Sequence, residues 1–444
     1  MKTNPRRLPL SVLLLIGLAL SACTSSSESQ RPGPQVLLTS DIPQPSPTPT
    51  RIGAPDLKGQ SIILPVVCLE DSLAAPDGAV WQVMLDYAEA INLGGGLFGA
   101  ELELELVELS INERLIEGET SREVEALPSL ALPLLVFCDA ASEQQIAGQL
   151  GDLGLVAVGY GAANLGHYAP GGPLLSANPL PYNHFSYWVE ILADDWEGFK
   201  PQGAGSEIQL ATLTGPDFPV IGFAHENLSE QGIEIVYQGD YSDIETLNVF
   251  DFVYAARDAQ ASAVFVHAEP AVAAELVNAV NALGLQDRLP LLLTSSSVSG
   301  EFRDLLFSPV YLEGVFVSAS FPAWDQVDIT KVRAIAESNN SINQADYIDA
   351  FFALQALDLA RYALEEAIIA DGSIRVDANS VREALSQSTA IYGLLINPDT
   401  QFLEATQTLN HLQILRYSET GLSLEAFRKA SAVPEIILTL EAAE

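Results

Sequence analysis

Basic side chains are scarce in this chain: 20 Lys and Arg stand against 58 Asp and Glu in 444 residues, a formal net charge of −38. Such a surface repels nucleic acid and anionic lipid headgroups and excludes both as partners of the folded part. Cysteine is nearly absent, with three residues, and the five histidines, at 167, 184, 225, 267 and 411, form no pair at metal-ligand spacing. No metal or cofactor is expected. The chain also lacks Gly-x-Ser-x-Gly, His-Glu-x-x-His and a Gly-Lys-Ser/Thr phosphate loop. Acidic pairs such as Asp194-Asp195 are common in so acidic a chain and carry no specificity. Nothing here argues for an enzyme.

What is present begins with an address. Lys2, Arg6 and Arg7 precede the apolar run Val12 to Leu20 and then Ser21-Ala22-Cys23, the parts of a signal peptide. The run is too short to span a bilayer, which takes about 20 apolar residues. Its Leu20-Ser21-Ala22-Cys23 ending resembles the lipobox of bacterial lipoproteins. That resemblance implies removal of residues 1–22, a lipid on Cys23, an extracytoplasmic location, and bilayer contact through Cys23 only. An ordinary signal peptide with an incidental Cys is the alternative. Residues 23–58 are rich in Ser, Pro, Thr and Gln, including Pro43-Gln44-Pro45-Ser46-Pro47-Thr48-Pro49, and read as an extended tether. The roughly 385 residues that follow exceed one typical core and predict two lobes.

Past the tether, strand-like and helix-like segments alternate. Ile62–Cys68 is an apolar strand, and Gly78–Leu93 has helical spacing at Val80, Met84, Ala88 and Ile91. Glu101–Glu108 alternates Glu with Leu or Val, the pattern of an edge strand with one wet face. A helix near Arg114–Ala126, strand Leu132–Cys138, helix Ser142–Leu150 and strand Leu155–Val158 follow. Pro170 to Pro181 reads as a crossing between lobes, after which the pattern restarts with helix Phe185–Trp196 and strand Ile208–Leu213. Strands Ile233–Tyr237, Ser262–His267, Pro290–Thr294 and Val315–Ser318 are separated by helical segments, and Phe321-Pro322-Ala323-Trp324 reads as a second crossing. The longest helix spans about Asp346–Ala370, and Ile391–Ile396, Gln401–Leu403 and Thr408–Tyr417 read as hairpin strands. This repetition predicts α/β lobes with parallel sheets covered on both faces. Cys68 and Cys138 each close an apolar run. On neighbouring strands their thiols share one sheet edge, where an oxidising compartment permits a disulfide. Against it, direct strand neighbours often lack bridging geometry.

Several segments also occur in a familiar order. Leu73-Ala74-Ala75-Pro76-Asp77-Gly78 precedes a helix ending Glu89-Ala90-Ile91-Asn92 and the loop Gly94-Gly95-Gly96-Leu97-Phe98-Gly99. Pro290-Leu291-Leu292-Leu293 runs on to Leu312-Glu313-Gly314-Val315-Phe316. The long helix ends Ala363-Leu364-Glu365-Glu366-Ala367, followed by Val381-Arg382-Glu383-Ala384-Leu385 and by Tyr392-Gly393. Over residues 60–430 the chain resembles the type I periplasmic binding proteins, specifically the leucine/branched-chain amino-acid-binding receptors of ABC importers. The resemblance implies two Rossmann-like lobes with parallel central sheets, joined by a three-strand hinge and closing on a solute. Lobe one would be 60–178 plus 323–388, lobe two 180–320 plus 391–431, with a tail at 432–444. The implied partners are a small polar solute (an amino acid, amide or peptide-like molecule) and an ABC permease.

The resemblance also implies a site. Cys138-Asp139-Ala140-Ala141-Ser142 matches the turn whose Ser and free amides hold a ligand carboxylate, which assigns Ala141 and Ser142; an N-cap role for Ser142 is the plainer alternative. Gly159-Tyr160-Gly161-Ala162-Ala163-Asn164 matches the next strand end, assigning Gly161, Ala163 and Asn164, with Asn164 in place of a Thr. Phe218 falls where the family has a Tyr, His267 at its strand-end aromatic, and Ser296 where an acid pairs with the ligand ammonium. A buried ammonium without a carboxylate is costly, so Asp77 or Glu269 would have to substitute, unless both are simply solvated acids. Tyr160 and Trp324 supply either cleft walls or ordinary packing. These departures keep a second function open, an envelope sensor or scaffold that uses the same fold to bind a protein.

Overall fold

Apolar runs such as Ile62–Cys68 can bury both of their faces only inside a sheet covered by helices on either side. The computed structural model describes residues 54–69, 78–109, 127, 132–161, 165–168, 171–201, 203–215, 225–240, 248–299, 302–321, 347–386, 402–403, 408–409, 411–417 and 424–432. The first series is β1 (Ser61–Leu69), α1 (Ala79–Leu93), β2 (Glu101–Leu109), β3 (Leu134–Phe137), α2 (Ala140–Leu150), β4 (Val156–Gly159) and β5 (Leu174–Ser176). The second is α3 (Pro181–Phe199), β6 (Ile208–Thr214), α4 (His225–Glu230), β7 (Ile233–Asp240), α5 (Val249–Asp258), β8 (Ala263–His267), α6 (Pro270–Ala282), β9 (Leu291–Thr294) and β10 (Val315–Ala319). Then come α7 (Tyr347–Asp371), α8 (Ala378–Ser386), β11 (Phe402–Leu403), β12 (Thr408–Leu409), β13 (His411–Tyr417) and β14 (Leu424–Ala432). The expected helix at Arg114–Ala126 and strand at Ile391–Ile396 fall outside the described residues. No described helix is long and apolar enough to cross a membrane.

The strands form two sheets that repeat one pattern. The first runs β11-β12-β5-β4-β3-β1-β2 and the second β14-β13-β10-β9-β8-β6-β7. From β5 to β2, and from β10 to β7, every pairing is parallel. In the first sheet α1 and α7 cover one face, burying Tyr87, Met84 and Phe352 against Leu64 and Val66, and α2 covers the other with Ile146 and Leu150. In the second, α3 buries Phe185 and Trp188 against Phe265 and Leu292, while α5 and α6 pack on the opposite face. As the Glu-Leu alternation predicts, β2 is an edge strand, with Glu101, Glu103 and Glu105 exposed and Leu102 buried. Asn92 ties α1 to that edge: its Nδ2 donates to Leu102 O at 2.9 Å, and Leu102 N–H donates to Oδ1 at 2.8 Å. The loop before β2 needs Gly96, whose φ is +68° and where a Cβ would lie 1.9 Å from Ala100 O.

Three crossings join the sheets, and each leaves from a carboxyl end. β5 ends at Ser176 and leads straight into α3. β10 ends at Ala319, and the Ser320 hydroxyl then lies 2.8 Å from Asn178 Oδ1 and 3.1 Å from Gln355 Oε1 on α7. β12 runs parallel to β5 and is followed after one residue by β13, antiparallel to β10. The Gln413 amide donates to Phe321 O at 2.6 Å, while Phe321 packs edge-on to Phe352 at 5.5 Å. All three links among the described strands are thus made at the carboxyl ends of the parallel strands. One boundary differs from expectation. The resemblance places residues 391–431 in lobe two, but Thr408 pairs with Ser176, so Phe402–Leu409 extends the first sheet. Periodicity along the single run Thr408–Tyr417 cannot show that its two ends belong to different sheets.

Candidate functional site

In each sheet the strand order reverses between the first strand and the third: β1 and β3 in one sheet, β6 and β8 in the other. Open α/β sheets bind ligands in the crevice beyond the carboxyl ends at such switch points. In the first sheet Val67 is level with Phe137, and Cys138 N–H donates to Val67 O at 3.1 Å. One step further, Cys68 and Cys138 are joined as a disulfide with a Cα–Cα distance of 5.4 Å. That separation lies inside the bridging range although the two strands are direct neighbours.

Asp139 follows at once and has extended backbone, with φ −150° and ψ 159°, as an N-cap requires. Its Oδ1 accepts from Ser142 N–H at 2.6 Å, and its Oδ2 accepts from Leu69 N–H at 3.1 Å. One carboxylate therefore holds the end of β1 and the start of α2. Ser142 is fully buried, and its hydroxyl lies 3.0 Å from Asp139 O and 3.3 Å from Val67 O. The N-cap role expected of Ser142 belongs instead to Asp139. The Ser142 amide and hydroxyl both meet the chain's own groups.

At the next strand end, Glu143 is fully buried beneath β4. Its Oε2 accepts from Tyr160 N–H at 2.5 Å, and its Oε1 accepts from the Tyr168 hydroxyl. A Cβ on Gly159 would lie 2.3 Å from Glu143 Oε2, so a glycine makes room for this carboxylate. Gly161 has φ +83° and approaches Ser176 Oγ; a Cβ there would be 3.2 Å from it. The Tyr160 hydroxyl donates to Cys138 O at 2.6 Å, and its ring meets Phe352 with centroids 5.7 Å apart. Burial pushes the Tyr160 phenol well above its ordinary pKa, and the negative charges of Asp139, Asp349 and Glu143 add to the shift.

The second sheet offers neutral polar groups. His267 ends β8 with Nδ1 3.0 Å from Thr294 Oγ1, which is also 3.0 Å from the hydroxyls of Ser296 and Ser297. Ser297 Oγ accepts from Ala268 N–H at 3.0 Å. His184 on α3 lies with Nδ1 2.7 Å from Ser318 Oγ. Burial lowers the His184 pKa to about 3, helped by its neighbour His267, and lowers His267 to about 4. Both rings are uncharged near neutral pH. Ser296 is exposed at this edge, and Glu269, also exposed, stands at the N-cap position of α6 without a side-chain capping bond.

The structure thus brings Ser142 and Gly161 to one carboxyl edge, and His267 and Ser296 to the other. Ala141 lies in α2, but its side chain, together with Asp77, Ala163, Asn164, Phe218, Trp324 and Cys23, is outside the described residues. Sequence reasoning passed over Asp139, Glu143 and His184. An acid directly before a helix is an N-cap signal that would have found Asp139. No local signal distinguishes a buried Glu143 or His184 from a surface one.

Neither protein-family models nor curated proteins give a match to this sequence. Solved structures do resemble it in fold. A branched-chain amino acid ABC transporter protein from Thermus thermophilus with bound valine superposes with TM-score 0.63 at 13% identity, covering 84% of this chain and 97% of that one. A fatty acid ABC transporter substrate-binding protein from Thermomonospora curvata gives 0.56 at 17% identity, covering 86% and 97%. An ABC transporter substrate-binding protein from Desulfitobacterium hafniense in complex with Leu gives 0.55 at 15%, covering 83% and 100%. These likenesses identify the α/β architecture as the type I periplasmic binding protein fold.

Proposed function

We propose that this chain is an extracytoplasmic solute-binding protein, anchored by a lipid on Cys23, that closes its two lobes on a small polar molecule for an ABC permease. Lobe one comprises 60–178 and 323–388 together with the hairpin Phe402–Leu409; lobe two comprises 180–320 and the strands from His411 onward. One observation carries the reading. The three crossings between described strands all lie at carboxyl ends, which supports a reading in which two switch points with polar groups face each other across a hinge. A solute touching both edges stabilises the closed arrangement through contacts that the open one lacks. The fold is compatible with chemically different solutes, since its structural relatives include proteins described with valine and with fatty acid.

The Leu69 and Ser142 amides already held by the Asp139 carboxylate, and Ser296 in the place of an acid, favour a second reading, an envelope sensor or scaffold that binds a protein instead. A thermal-shift screen of the mature protein against amino acids, amides, short peptides, urea and nucleosides separates the two. A solute at 100 times its dissociation constant adds about 2.7 kcal/mol, enough to raise the melting temperature visibly. A receptor responds to at least one solute class. A flat response across the library, with a protein partner captured instead, selects the scaffold.

A further inference from the structure

At the β1/β3 switch point three of the amides are already filled. Leu69 N–H and Ser142 N–H both donate to the Asp139 carboxylate, and Tyr160 N–H donates to Glu143. These amides come from three separate segments: the end of β1, the first turn of α2 and the end of β4. An anion approaching from the cleft would look for such donors, because a helix N-terminus and free strand-end amides attract negative charge. Here it meets the chain's own carboxylates. The crevice between β1 and β3 is also closed covalently, since the Cys68–Cys138 disulfide joins the two strand ends one residue before Asp139. Asp349, on the first turn of α7, adds a third negative charge to the field at Tyr160. Among the described residues, the groups that meet at the opposite edge (His184, His267, Thr294, Ser296, Ser297 and Ser318) include no Lys or Arg to receive a carboxylate.

Resting on the receptor reading above, we infer that the cleft selects a hydrogen-bonding solute without a free carboxylate, neutral or cationic, and that Asp139 determines this specificity by occupying the anion position itself. A like charge brought to within a few ångströms of Asp139 in a partly desolvated cleft loses on the order of a hundredfold in affinity. Only the solute's charge is constrained in this way. Its size and shape are left to the rest of the cleft.

The test uses matched probes on mature protein: leucine against leucinamide and acetate against acetamide, read by melting temperature and by calorimetric titration. Wild type is expected to prefer the amide of a binding pair at least tenfold, and Asp139→Gly, which vacates two amides, to lose that preference. Formate is expected to restore the melting temperature of Asp139→Gly while leaving wild type unmoved, because the free anion occupies the vacated amides. Should the glycine variant fail to fold, Asp139→Asn keeps an acceptor for Ser142 N–H and still vacates Leu69 N–H, so the same formate-specific gain is expected. Wild type binding leucine as tightly as leucinamide, or formate failing to stabilise either variant beyond wild type, overturns the inference. Formate rescue without binding of any solute leaves Asp139's occupancy standing and removes the receptor reading instead.

Discussion

Between α1 and α7 lies a buried ionic cluster whose removal has a calculable effect. Arg361 Nη1 is 2.6 Å from Glu365 Oε1 and its Nη2 is 3.1 Å from Asp358 Oδ1. Its Nε donates to the Tyr87 hydroxyl at 3.0 Å, and that hydroxyl in turn donates to Asp358 Oδ1 at 2.5 Å. Side-chain exposures are 8% for Arg361, 0% for Asp358 and 5% for Glu365, so solvent screens these charges little. Arg361→Met keeps most of the length and apolar bulk but strands two carboxylates. Breaking a buried pair in this way costs about 3–5 kcal/mol. At about 2–4 °C per kcal/mol, the melting temperature falls by roughly 10 °C. The triple variant Arg361→Met, Asp358→Leu, Glu365→Leu removes the stranded charge and recovers most of the loss, because well-packed apolar substitutes for a buried ion cluster are often neutral or better. Differential calorimetry of the three proteins reads both effects. A single variant within about 1 kcal/mol of wild type, or a triple variant less stable than the single, would refute the reasoning.

Further expectations concern the disulfide, the histidines and the glycine beneath β4. In protein expressed without the lipid, Cys23 alone reacts with a thiol reagent under non-reducing folded conditions, since Cys68 and Cys138 are bonded to each other. Replacing that pair by Ala releases a 70-residue loop in the unfolded chain and lowers stability by about 2–4 kcal/mol, measured by denaturant titration. His184 and His267 have folded pKa values lowered to about 3 and about 4, so the unfolded chain binds the extra protons between those values and its own value near 6.5. Their stabilisation is complete above pH about 6.5 and declines as pH falls through about 4 for His267 and about 3 for His184, by several kcal/mol in all. The His184→Gln, His267→Gln double variant should flatten that part of the stability profile, with the larger share from His184, the more enclosed ring. Gly159→Ala pushes a methyl group into Glu143 and should cost about 1–3 kcal/mol by overpacking.

Much of the architecture was legible because its signal is periodic. The Glu-Leu alternation of β2, the apolar runs of β1, β3 and β9, and the spacing of α7 each carry their burial along the local sequence. β5 was not found as a strand, since three residues inside a Pro- and Gly-rich segment leave no period to detect. The division of Thr408–Tyr417 between two sheets is a long-range fact with no local cause. The site was less legible still. The resemblance singles out Ser142, while the N-cap rule applied to Asp139 accounts for the acceptor that the Ser142 amide has in the chain itself. Glu143 is a buried carboxylate in a chain with 58 acids, and only the partners Tyr160, Tyr168 and Gly159, distant in sequence, distinguish it. His184 is likewise one histidine on an amphipathic helix until β10 brings Ser318 against it.

Whether facing strand ends form a working cleft is decided most directly by small-angle scattering of the mature protein with and without the strongest solute from the thermal screen. Hinge closure predicts a smaller radius of gyration with solute bound, reversed when the solute is dialysed away. A solute that raises the melting temperature while leaving the scattering curve unchanged would contradict closure of one lobe upon the other.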